Sequence, residues 1–244
     1  MITRFSKGVK RFWARLLLLS VEMIVVLSLF VFALVIFVYI TRGIFVLNKT
    51  SFDSRAFDFM SRFVSDRNSN FMRVITFLGT HNFLIPANLV LIAYFLFIRR
   101  DNWYSIKIPA IALTSLGLMT VLKHLFNRPR PDIPLLFEAK GLSFPSGHAL
   151  MSVTFYGLLI FMIFRGRMNN GLKWTLIGLL VLLIVIIGLS RVYLRVHYAS
   201  DVIAGYCMGF LWLVFAIWLL NRMEKYSRRK FNYVVEKPAV TTES

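Results

Sequence analysis

The chain has 244 residues, enough for one domain or two small ones. Hydrophobic residues make up 58% of it and charged residues 16%, against about 45–50% and about 25% in soluble domains, which excludes an ordinary soluble globule and a disordered chain. Lys and Arg number 29 against 11 Asp and Glu, a formal net charge of +18. These cations punctuate apolar runs, as in membrane proteins, so no nucleic-acid partner is expected. The single cysteine, Cys207, excludes an intrachain disulfide and a cysteine-based zinc cluster.

Residues 1–15 carry Arg4, Lys7, Lys10, Arg11 and Arg15 and no acid. The apolar run from Leu16 to Ile40, broken only by Glu22, is too long for a signal-peptide core and reads as an uncleaved first span. Glu22 lies near its basic end, where its carboxylate can reach the interface. In the mixed segment 41–70, Phe52, Ala56, Phe59 and Phe63 recur at helical spacing beside Asp53, Arg55, Asp58 and Arg62, which predicts an interfacial amphipathic helix. A second span is predicted from Val74 to Ile98 and a third from Trp103 to Leu125. The polar loop 126–145 holds four of the chain's seven prolines. Further spans follow over Ser146–Arg165, Trp174–Leu189 and Val202–Leu220, and residues 221–244 form a basic tail. The expected fold is all-α, a six-span membrane helical bundle in one domain over 1–244, with the amphipathic helix after the first span.

Six spans put both termini on one side. That side holds seventeen Lys and Arg and the opposite side twelve, so both termini are expected in the cytoplasm of a cell (inner) membrane. Lys123, Arg130 and Arg191 stand at the outer ends of spans, where anchoring does not need them.

Three polar patches share that outer, or periplasmic, face. They are KHLFNRPRP (Lys123 to Pro131), PSGH (Pro145 to His148) and SRVYLRVHYASD (Ser190 to Asp201). Taken singly, a basic residue at a span end is usually an anchor and a histidine a structural hydrogen-bonder. Taken together, three cations can surround a tetrahedral dianion and stabilise its transition state. PSGH can open a helix whose free N–H groups seat an anion. His197 and Asp201 are four apart and share a face on a helical turn. A carboxylate on one imidazole nitrogen fixes the tautomer and frees the other to attack, leaving His148 as general acid. Two histidines and an aspartate could also hold zinc, but three adjacent cations oppose it.

The whole pattern resembles the type 2 phosphatidate phosphatase superfamily, the lipid phosphate phosphatases related to vanadium haloperoxidases. Its signature reads KxxxxxxRP, PSGH and SRxxxxxHxxxD. Lys123, Arg130, Pro131, Pro145, Ser146, Gly147, His148, Ser190, Arg191, His197 and Asp201 match it in order. The resemblance extends over residues 70–220. It implies a catalytic set of His197 as nucleophile, Asp201 orienting it and His148 as acid and then base. It further implies a substrate-binding set of Lys123, Arg130, Ser146, Gly147 and Arg191, with no metal and no cofactor. Arg195 lies outside the signature and is expected to face headgroups, or else a second substrate phosphate. His81 and His124 are expected to be structural.

The activity so implied is a metal-independent hydrolase acting on a lipid phosphate or diphosphate. Candidate substrates are a polyprenyl diphosphate, phosphatidate, phosphatidylglycerol phosphate and lipid A. Membrane lipids are the other expected partners. A phosphotransferase on the same fold, passing the phosphate to a second lipid, is the alternative. A transporter or lipid-binding protein would need the cations but not the His197, Asp201 and His148 set.

Overall fold

Eight α-helices and no strand make up the described part of the chain, which in this computed structural model is residues 2–132, 135 and 139–236, with side chains for 21–132, 135 and 139–230. The helices are α1 (Ile2–Phe45), α2 (Ser51–Ser61), α3 (Asp66–Phe77), α4 (His81–Ala93), α5 (Asn102–Phe126), α6 (Gly147–Arg165), α7 (Asn170–Tyr193) and α8 (Ala199–Glu236). A π-helical turn, Tyr94–Ile98, continues α4. The side chains of Arg4 to Arg15, and Pro134 and residues 237–244 of the tail, lie outside the described residues.

Six segments are long and apolar enough to cross a membrane, namely Val21–Phe45, His81–Ile98, Asn102–Phe126, Gly147–Arg165, Asn170–Tyr193 and Ala199–Lys230. The chain is an all-helical, multi-pass membrane protein. The large exposed side chains of α1, such as Met23, Ile24, Leu27 and Phe32, form the outer surface that lipid covers.

The second span is shorter than the hydropathy predicts. Residues 74–77 end α3, and Leu78, Gly79 and Thr80 donate to the carbonyls of Ile75, Thr76 and Phe77. These three-residue turns break the helix, and α4 starts afresh at His81. The amphipathic region 41–70 likewise divides. Its helix α2 turns Asp53, Ala56, Phe57 and Met60 toward the bundle, while Phe52, Phe59 and Phe63 face outward. Asp53, expected on the polar face, is therefore buried.

Helix α6 is central and packs on both α7 and α8. Its approach to α8 is set by Gly205 and Gly209, spaced four apart. A β-carbon at Gly205 would lie 2.7 Å from the Ser146 carbonyl oxygen, and one at Gly209 2.8 Å from that of Leu150. Backbones meet directly there, as small residues permit in membrane bundles. The contact brings the N-terminus of α6 onto the first turn of α8, where the Ser146 N–H donates to the Asp201 carbonyl at 3.0 Å. At the opposite end of the bundle, Lys107 of α5 reaches Glu224 at 2.5 Å and Asn221 at 2.7 Å on α8.

Candidate active site

Helix termini assemble the site. Helix α5 stops at Asn127, whose left-handed backbone (φ 45°) donates to the Lys123 carbonyl at 2.9 Å. The stop leaves Lys123 on the last turn and turns Arg128 and Arg130 back over the bundle. Ser146 caps α6, its hydroxyl accepting from the Ala149 N–H. Helix α7 ends at Tyr193, and Arg195 (φ 52°) reverses the chain so that His197 precedes α8. The C-terminal ends of α5 and α7 and the N-terminal ends of α6 and α8 thus meet at one end of the bundle.

His197 is 2% exposed. Its Nε2 lies 3.3 Å from Nη1 of Arg130. Its Nδ1 lies 3.4 Å from Oγ of Ser143 and 3.6 Å from Oδ2 of Asp201. The last distance exceeds a formed hydrogen bond; in such sites contacts tighten when substrate binds. Asp201 is fully buried. Its Oδ2 accepts from the Ser143 hydroxyl and from the Tyr198 N–H at 3.0 Å, and its Oδ1 accepts from Arg128 Nη1 at 2.5 Å.

Lys123, Arg130 and Arg191 are each held by neutral acceptors that leave the charge available. Lys123 Nζ donates to the Leu142 carbonyl at 2.5 Å. Arg130 donates to the carbonyls of Gly141 at 3.0 Å and Val196 at 2.8 Å. Arg191 Nη1 donates to Thr76 Oγ1 at 2.7 Å, while its Nε is buried without a partner among the described residues. Nε2 of His148 and Oγ of Ser152, one turn further along α6, are also buried and unpartnered. Buried polar atoms normally have partners, so an anion or ordered water fits here.

Gly147 opens α6, and a β-carbon there would meet Sδ of Met119 at 2.6 Å, so the glycine lets the helix start press against α5. The predicted residues Lys123, Arg130, Ser146, Gly147, His148, Arg191, His197 and Asp201 thus lie at one end of the bundle. Lys123, Arg130, Arg191 and Asp201 are within electrostatic reach of one another, as are His148 and His197. Arg195 stands apart, its guanidinium 6.0 Å from the Phe57 ring centre, and His81 and His124 are exposed.

Burial pushes the His197 imidazole down to about 4; Asp201 opposes this, and Arg130 and Arg191 reinforce it. His197 is therefore neutral at physiological pH, with a lone pair on one nitrogen. Burial also lowers Arg130, partly offset by Asp201, without threatening its charge. Four cations, Lys123, Arg128, Arg130 and Arg191, stand against two carboxylates, Asp53 and Asp201, an excess suited to a dianion. Among the described residues no group of three His, Cys, Asp or Glu side chains is placed to hold a metal ion.

Several contributing residues carry no clear signal in the sequence. Ser143 is an isolated serine before Phe144. Thr76 and Gly79 sit in what reads as a span, yet Thr76 holds Arg191 and Gly79 backs onto the His148 ring. Arg128 lies within the quoted RPRP run, and only the fold turns it inward.

Residues 104–225 match the family model described as the PAP2 superfamily. The chain is 31% identical over 144 residues to phosphatidylglycerophosphatase B of Bacillus subtilis, covering 57% of this chain and 69% of that protein. It is 33% identical over 137 residues to the putative undecaprenyl-diphosphatase YbjG of Escherichia coli, covering 53% and 65%. The crystal structure of a transmembrane PAP2-type phosphatidylglycerolphosphate phosphatase from Bacillus subtilis superposes with a TM-score of 0.71 at 26% identity, over 81% of this chain and 96% of that one.

Proposed function

The chain belongs to the PAP2 superfamily, and from that premise we propose that it hydrolyses the terminal phosphate of a membrane lipid through a phosphohistidine on His197. Its named relatives are lipid phosphatases, one acting on phosphatidylglycerophosphate and one putatively on undecaprenyl diphosphate.

The observation that carries the reading is a buried, neutral His197 with Nε2 beside Arg130 and Nδ1 beside Asp201. Nε2 attacks phosphorus, and the bond from phosphorus to the lipid oxygen breaks. His148 gives that oxygen a proton. The phosphoryl group is then on Nε2, and Asp201 stabilises the cationic ring through Nδ1–H. In the second step His148 takes a proton from water, which attacks phosphorus and releases phosphate and free His197. Lys123, Arg130 and Arg191 surround the equatorial oxygens, and Ser146 and the α6 N-terminus add hydrogen-bond donors. Every charge the transition state needs comes from a side chain, so no metal is required. The basic-residue count supports a reading with both termini in the cytoplasm and the site on the outer leaflet.

Incubating detergent-solubilised protein with polyprenyl diphosphate, phosphatidate, phosphatidylglycerol phosphate and lipid A, and measuring free phosphate, tests the activity and names the lipid. A phosphoryl label on the protein that is acid-labile, alkali-stable and absent from His197→Ala tests the intermediate. Activity in His197→Ala refutes it. A reporter fused at Ser244 is expected to read out as cytoplasmic, and an external readout overturns the orientation.

A further inference from the structure

Asp53 and Arg128 lie outside the motif residues assigned above, yet both are turned into the site from separate elements. Asp53 belongs to the first turn of α2 and is 3% exposed. Arg128 belongs to the loop after α5 and is 8% exposed. Oδ1 of Asp53 accepts from the Ser200 N–H at 2.9 Å. Its Oδ2 accepts from Arg128 Nη2 at 2.8 Å and from the Ser200 hydroxyl at 2.7 Å. Nη1 of Arg128 then donates to Ser200 Oγ at 2.9 Å and to Oδ1 of Asp201 at 2.5 Å. The guanidinium carbon lies over the Tyr198 ring, 4.0 Å from its centre.

This is a continuous chain of charge, Asp53 to Arg128 to Asp201 to His197. Burying three full charges is costly, and an apolar cluster would join α2 to α8 with less desolvation. The arrangement instead resembles the outer partners that orient a working side chain in metal sites. Asp201 turns Oδ2 toward Nδ1 of His197, where Ser143 and the Tyr198 N–H also hold it, and a hold on Oδ1 fixes the rotation of the carboxylate plane. Arg128 holds Oδ1, and Asp53 holds Arg128.

We propose that Asp53 and Arg128 are positioning residues for the reaction, with Asp53 fixing the Arg128 guanidinium and Arg128 fixing the Asp201 carboxylate against His197. The proposal rests on the reading of His197 as nucleophile and Asp201 as its partner. It makes the interfacial helix α2 part of the catalytic apparatus.

The charges give the proposal a signature. His197 faces Asp201 and Ser143 on one side and Arg130 on the other, with Arg191, His148 and Lys123 nearby, and substitutions at Asp53 or Arg128 remove none of these groups. Removing the Arg128 charge leaves Asp201 uncompensated, so the proton on His197 is held more tightly. Removing the Asp53 charge concentrates Arg128 on Asp201 and loosens that proton. An ion pair acting through its field alone would move the proton in the same two senses, so the positioning role is read from kcat in the double variant, where the field is restored and the scaffold is not.

The chain has four histidines, so 15N-histidine labelling gives four pairs of ring-nitrogen signals, assignable with single His→Gln variants. The His197 titration is expected to rise by about one pH unit in Arg128→Met and to fall in Asp53→Asn. It is expected to return near the wild-type position in the double variant, whose net charge is unchanged. In phosphate release each single variant is expected to lose about 10–100-fold in kcat. KM should stay within about threefold, because the phosphate-holding cations are intact. Asp53→Glu and Arg128→Lys are expected to recover part of kcat. If the single variants fail to accumulate, the double variant carries the test, with a near-normal titration and a lowered kcat. Wild-type kcat in the double variant, or an unmoved His197 titration in the single variants, overturns the proposal while His197→Ala stays inactive. Activity in His197→Ala overturns the underlying mechanism instead.

Discussion

Gly79 lies in the turn between α3 and α4 with its α-carbon against the His148 ring, so Gly79→Ala tests how that ring is held. The added β-carbon would lie 2.6 Å from Cγ2 of Ile187, 3.1 Å from Cδ2 of His148 and 3.2 Å from Oγ of Ser152. Carbon atoms rest at about 3.5–4.0 Å, so the Ile187 contact must open by about 1 Å and the His148 contact by about half as much. Ile187 is fully buried and has little room to withdraw. Overpacking of this kind costs about 1–3 kcal/mol, which lowers the unfolding midpoint without abolishing the fold. A misplacement of about 1 Å near the chemistry costs about 10²-fold, so half of it predicts a loss of about tenfold.

The loss should depend on the leaving group. Phosphatidate expels an alkoxide, a strongly basic leaving group whose conjugate acid resembles water, and needs the His148 proton. A lipid diphosphate expels a phosphate monoester whose second ionisation is about 6, and leaves largely unaided. Single-turnover phosphate release is therefore expected to fall about tenfold on phosphatidate and much less on polyprenyl diphosphate. The unfolding midpoint in the same detergent serves as the control. A Gly79→Ala protein that turns over phosphatidate at the wild-type rate, or loses equally on both substrates, would refute the placement of His148 as the acid.

Removing the acid altogether, in His148→Ala, is expected to cost about 10²–10⁴-fold on phosphatidate and far less in the first turnover of a diphosphate, leaving a slowly hydrolysed phosphohistidine; equal single-turnover losses contradict this. His197 titrates at about 4 in the folded protein and near 6.5 when unfolded, so its contribution to stability is complete above pH 6.5. About 3 kcal/mol of it is lost as pH falls from 6.5 toward 4. Unfolding midpoints at neutral and acid pH should fall more for the wild type than for His197→Gln, and equal falls contradict the burial of a neutral ring. Activity is expected to survive EDTA and to be inhibited by vanadate, which imitates the five-coordinate phosphorus; loss in EDTA restored by magnesium contradicts the metal-free mechanism. Lys107→Met removes the α5 partner of Asn221 and Glu224 at the far end of the bundle, leaving Glu224 with Arg228 alone. It should lower the unfolding midpoint by an amount equivalent to about 1–3 kcal/mol while leaving kcat unchanged, and a changed kcat would connect that end to the chemistry.

The six spans were legible in the sequence because lipid imposes a strong rule, that every backbone polar group be satisfied within an apolar run of about twenty residues. The candidate site was legible because Lys123, Arg130, His148, Arg191, His197 and Asp201 carry spacings that match a known signature, and PSGH announces its own helix start. What the tertiary structure decided is where separate elements meet. The break at Leu78–Thr80 lies inside an apolar stretch, so hydropathy ran the second span through it; only the packing against His148 shows why Gly79 stands there. Asp53 lies among polar residues of an amphipathic helix, and periodicity turned it toward water. Its burial follows from Arg128, 75 positions away, and from Ser200, 147 positions away. Local patterning reports what one helix needs, and it cannot report which distant charge a buried carboxylate will meet when the interhelical contact at Gly205 and Gly209 closes the bundle.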